Sequence, residues 1–119
     1  MKIAQFDPQG GPVTAEVTLS NGKEGSYTLY LWESASNTIV QKWRGNFQNA
    51  ADDAYELPKP LAKLDGRLVE ALVTVARGPA KAKLTITQDG DTLQTAELAV
   101  PKGAIGVSPD LFIQLEAAS

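Results

Sequence analysis

Ser26-Tyr-Thr-Leu-Tyr-Leu-Trp32, Glu33-Ser-Ala-Ser-Asn37 and Thr38-Ile-Val-Gln-Lys-Trp-Arg44 form the stretch whose reading decides the fold. Two runs rich in aromatic and β-branched residues flank a short polar segment, the pattern of two strands around a turn. The stretch holds both tryptophans and two of the three tyrosines of the chain. It places large apolar side chains on both faces of a strand. One of those faces must be covered by more protein or offered to a partner.

Outward from this hairpin, hydrophobicity alternates with period two, and turn residues recur at the spacing of a sandwich or barrel. In Val13-Thr-Ala-Glu-Val-Thr-Leu-Ser20, residues Val13, Ala15, Val17 and Leu19 face one way. In Lys81-Ala-Lys-Leu-Thr-Ile-Thr87 the inward set is Ala82, Leu84 and Ile86. Asp89-Gly90 is a strong hairpin signal, and the strand after it, from Thr92 to Val100, is stopped by Pro101.

Arg67 to Arg77 reads as a long strand. The fourfold spacing of Leu68, Leu72 and Ala76 makes a helix the rival, but Val69, Val73, Thr74 and Val75 with Gly78-Pro79 favour strand. A closing strand runs from about Asp110 to Glu116 with Leu111, Ile113 and Leu115 on one face, and Lys2 to Phe6 forms a first edge strand. The irregular stretch from Gly45 to Gly66, with a short strand near Tyr55–Leu57, is expected to cross between sheets. The expected fold is one domain over residues 1–119, an antiparallel β-sandwich, immunoglobulin-like or jelly-roll-like, of eight or nine strands.

Composition excludes several classes of chemistry. The chain of 119 residues carries a net charge of −3 and contains no cysteine and no histidine. A disulfide framework, a thiolate nucleophile, a histidine base and a zinc knuckle are therefore ruled out. Neither half of the chain is basic, which argues against nucleic acid and against a polybasic membrane contact. No cofactor fingerprint is present, since Gly10-Gly11 and Gly103-Ala-Ile-Gly106 lack nucleotide-loop spacing. No segment has signal-peptide or membrane-span length, so a native start at Met1 points to the cytoplasm. Catalysis would have to rest on carboxylates such as Asp52, Asp53 and Glu56, a small hydrolase reading, and the same Asp52 and Asp53 are the weak metal candidates. An enzyme is not expected.

The hairpin itself carries the functional expectation. A four-residue loop from Ser34 to Asn37 pairs Trp32 with Ile39, Tyr30 with Gln41 and Thr28 with Trp43. Its other face then joins Leu31 to Val40, Leu29 to Lys42 and Tyr27 to Arg44. Lys42 and Arg44 require water, so Trp32, Tyr30 and Trp43 are expected in the core. Leu29, Leu31 and Val40, with Lys42 and Arg44, form the expected surface for a protein partner or for self-association. The alternative assignment turns Tyr30, Trp32 and Trp43 outward as a carbohydrate platform with Gln41 and Asn37 beside it. A one-residue slip of register exchanges the two.

Overall fold

The computed structural model describes residues 2–20, 25–47 and 53–119. Among them are ten strands: β1 (Lys2–Phe6), β2 (Val13–Ser20), β3 (Gly25–Glu33), β4 (Thr38–Asn46), β5 (Ala54–Glu56), β6 (Leu68–Arg77), β7 (Ala80–Gln88), β8 (Asp91–Val100), β9 (Ile105–Val107) and β10 (Asp110–Ala117). One sheet has the order β1-β10-β6-β3-β4, with β9 also paired to β6; the other has the order β5-β2-β7-β8. The two sheets form a β-sandwich. All pairs are antiparallel except β1 on β10.

Alternation explains which side chains fill the space between the sheets. Val13, Ala15 and Val17 of β2 and Ala82, Leu84 and Ile86 of β7 are fully enclosed, facing Val69, Ala71 and Val73 of β6 and Ile113 and Leu115 of β10. The run from Leu68 to Arg77 is a strand because its β-branched residues occupy the buried positions while Glu70 and Thr74 fall between them. The Asp89-Gly90 turn joins β7 to β8, and both residues have positive φ, 52° and 82°, as a two-residue hairpin of this hand requires. The chain leaves β4 in one sheet, enters β5 in the other and returns to β6, so the irregular connection does cross between sheets. Two short strands were not anticipated in these positions: β5 lies one residue earlier than expected, and β9 continues the edge of β6 beyond β10.

The central hairpin has the expected loop but not the expected register. Glu33 pairs with Thr38 and Trp32 with Ile39, so the loop is indeed four residues, with Asn37 at φ 53°. Beyond that the ladder shifts between Leu31 and Trp32: Leu31 pairs with Gln41, Tyr30 with Lys42, Leu29 with Trp43 and Thr28 with Arg44. Val40 is the extra residue of a β-bulge. One inserted residue reverses the facing of everything after it.

The expectation of a buried Tyr30–Trp32–Trp43 face is thereby overturned. Leu29 and Leu31 are completely buried and Tyr27 is 3% exposed, whereas Tyr30 and Trp32 lie half-buried on the opposite face. Leu29 and Leu31 therefore belong to the core and cannot form a partner-binding strip. Burying side chains of this size contributes about 1.5–3 kcal/mol each, which is why they, rather than the amphipathic Tyr30 and Trp32, take the inner face.

Candidate functional site

The pairing register defines the solvent face of the six-stranded sheet row by row. One row runs Ile39, Trp32, Leu68, Gln114, Ile3 across β4, β3, β6, β10 and β1. The next runs Lys42, Tyr30, Glu70, Phe112, and the third Arg44, Thr28, Leu72, Asp110. Ile3, Ile39 and Phe112 are 43%, 47% and 38% exposed, while Leu68 and Leu72 are half-buried. No described element lies over this face. Its aromatic centre is a step formed by Tyr30 and Trp32, with ring centroids 5.9 Å apart and planes tilted by 38°.

Two carboxyls sit beside that step. The Trp32 Nε1–H donates to Glu70 Oε1 at 2.8 Å, which fixes the indole against β6. Glu70 is also hydrogen-bonded to Asp110, its diagonal neighbour on β10. Burial, then that hydrogen bond, then the charge of Glu70 push the Asp110 carboxyl up from its ordinary value to about 7. Asp110 Oδ1 is enclosed and meets no hydrogen-bond partner among the described residues.

Lys42 and Arg44 lie on the same face at the β4 edge, and both are exposed. Neither forms an ion pair with a described residue; the described ion pairs are Arg67–Glu33, Lys59–Glu56 and Lys81–Glu97. Arg67 Nε reaches Glu33 Oε2 at 3.1 Å, and Ser34 Oγ donates to the Gly66 carbonyl at 3.0 Å. These contacts tie the hairpin turn to the loop before β6, so the aromatic step is held on a fixed support.

A second cluster lies inside, between β3, β4 and β5. The Tyr27 hydroxyl donates to Asp53 Oδ1 at 2.7 Å and lies 2.6 Å from the Tyr55 hydroxyl, which can donate to it in turn. Asp53 is only 2% exposed. Burial, followed by the hydrogen bonds to Tyr55 and Asp53, pushes the Tyr27 hydroxyl far above the usual phenol range, so it stays protonated. Trp43 stacks on Tyr55 with centroids 5.5 Å apart and planes at 29°. Gly45 closes over the same cluster: an added Cβ would meet the Tyr27 hydroxyl and lie 2.6 Å from its Cζ.

The expected site residues are thus divided between three places. Tyr30, Trp32, Lys42 and Arg44 share the solvent face of one sheet, although Lys42 and Arg44 were assigned to the face opposite Tyr30 and Trp32. Trp43 leaves the proposed three-ring ladder because it faces Tyr55 on the sandwich side, and Gln41 pairs with Leu31, two residues away along the same side of β4. Val40 sits in the bulge, 41% exposed. Asp53 serves the tyrosine cluster, while Asp52 lies outside the described residues. Among the described residues no group of three or more carboxylates is placed to hold a metal ion, and no helix is long and apolar enough to cross a membrane. The sequence does not mark Glu70, Leu68, Leu72 and Phe112 as contact residues, and Asp110 stands out in it only as a remote metal-ligand candidate. Their only signal was that polar Glu70 and Asp110 alternate with buried apolar neighbours.

Comparison with known proteins returns no match to a family model, to a curated protein or to a solved structure.

Proposed function

We propose that this chain is a non-catalytic β-sandwich interaction module, and that its contact surface is the solvent face of the six-stranded sheet. One observation carries the reading: Tyr30 and Trp32, with Ile39, Leu68, Leu72 and Phe112, lie on a sheet face over which no described element packs. Aromatic residues at the centre with charged residues at the margin, here Lys42 and Arg44, is the composition of protein contact surfaces. Trp32 is oriented in advance by Glu70, which reduces the ordering cost of binding.

The test compares three immobilised forms of the protein in extracts of its host: wild type, Trp32→Ser, and Thr85→Arg on the outer face of the other sheet. A protein retained by wild type and Thr85→Arg but lost from Trp32→Ser is the expected result. Equal retention by all three would contradict the reading.

A second reading is favoured by the Tyr30–Trp32 step with a hydrogen-bonding carboxyl at its edge, an arrangement suited to the apolar face and hydroxyls of a sugar ring. Glycan-array binding that depends on Tyr30 as well as Trp32 would move the assignment to carbohydrate.

A further inference from the structure

We propose that the partner on this face is a second copy of the chain, docked sheet to sheet about a two-fold axis that runs along β3. The inference rests on the reading of the face as a contact surface and names its occupant. The argument comes from the register. An axis parallel to β3 keeps every residue in its row and exchanges the strands to left and right, so β4 of one copy faces β6 of the other. In the first row this sets Ile39 on the partner's Leu68 and Trp32 beside its own mate. In the second it sets Tyr30 beside Tyr30 and Lys42 on the partner's Glu70. In the third, Arg44 falls on the partner's Leu72, next to the partner's Asp110.

The pairings are complementary except that Arg44 lies on the apolar Leu72, one strand from the partner's Asp110. Apolar residues meet apolar residues in the first row, rings meet rings at the axis, and the basic β4 margin meets the acidic centre of the other copy. Within one molecule Lys42 and Arg44 have no ion-pair partner among the described residues, and the Glu70–Asp110 pair holds two acids side by side with no basic partner. A self-complementary patch of this kind is what an isologous dimer requires, since each contact then occurs twice. With the axis on β3 the overlap is three strands wide, β4, β3 and β6. At ~4.8 Å per strand over three rows ~6.8 Å apart it covers about 300 Å² of flat sheet per copy, the small area of a weak, transient contact.

Sedimentation equilibrium of the wild type and of two charge variants tests this. The wild type is expected to dimerise with a Kd of about 1–100 μM, reasonable for a wet, partly polar face. Lys42→Glu and Glu70→Lys each set like charges opposite one another and should weaken self-association by at least about 10-fold. An equimolar mixture of the two should recover dimers, because the mixed dimer regains both ion pairs, one in the native sense and one with reversed sign. Circular dichroism melting shows whether Glu70→Lys remains folded; if it does not, Arg44→Glu paired with Asp110→Lys makes the same test in the third row. A wild type that stays monomeric to about 500 μM, well above that Kd range, would overturn the inference. So would a dimer indifferent to every charge change, or variants that fail to recover on mixing. A monomeric wild type that still retains a host protein through Trp32 would overturn the second copy alone, leaving the contact surface in place.

Discussion

Replacing Asp110 by Asn should make the protein more stable, and increasingly so as pH rises. Asp110 shares a hydrogen bond with Glu70 while its Oδ1 is enclosed without a partner, and its carboxyl titrates near 7 instead of 3.8. A carboxyl with a raised folded pKa keeps its proton longer in the folded state than in the unfolded one. Below about pH 4 both states hold the proton; above about pH 7 both have lost it, and in between stability falls as pH rises. The whole interval would be worth about 4 kcal/mol for a fully enclosed group. Solvent reaches this pair, and we expect about 1–2 kcal/mol after that screening. Asparagine carries no charge to be penalised, and its amide can still donate to Glu70. Urea unfolding of both proteins from about pH 4 to about pH 8 reads the effect as the difference in stability between them, which removes the contribution of the other carboxylates. That difference should grow in favour of the variant up to about pH 7 and then level off. Parallel stability curves, or a difference that grows as the pH is lowered, would refute the reasoning.

Other expectations concern the core. Leu29→Ala should cost about 2–5 kcal/mol, as for a fully enclosed leucine, whereas Val40→Ala in the bulge should fall within about 0.5 kcal/mol of wild type. Equal costs would mean that the bulge is misplaced. Tyr27→Phe removes the hydroxyl that donates to the enclosed Asp53 and should cost about 1.5–3 kcal/mol in urea unfolding with an unchanged denaturant slope. Tyr55→Phe, which leaves that donor in place, should cost less; the opposite ranking would contradict the direction assigned to the hydrogen-bond chain.

The elements of this fold were legible in the sequence where one face of a strand meets the core. Val13-Ala15-Val17, Ala82-Leu84-Ile86 and Leu111-Ile113-Leu115 alternate because every second residue must leave water, and their inward faces follow from that alone. The turn from Ser34 to Asn37 was legible for a similar local reason. The facing of the hairpin was not, because β3 is apolar on both sides: Leu29 and Leu31 compete with Tyr30 and Trp32, and alternation cannot choose between them. The choice is made by the bulge at Val40, a single unpaired residue with no mark in composition. The carboxyl pair was hidden for another reason, since Glu70 and Asp110 lie 40 residues apart and meet only through the β6–β10 ladder. Likewise Asp53 looks like a polar loop residue until β5 brings it under the Tyr27 hydroxyl.

Because the chain contains no cysteine, a single introduced thiol reports its own surroundings without interference. Thr28 lies on β3 in the solvent face of the six-stranded sheet, and Thr85 lies on β7, whose buried positions Leu84 and Ile86 flank it. A short bismaleimide spanning about 10 Å, the separation of two packed sheets, should link Thr28→Cys into covalent dimers at concentrations where the wild type associates. Thr85→Cys should remain monomeric under the same conditions. Linkage through Thr85→Cys, or through neither, would contradict the docking of two copies through the six-stranded sheet.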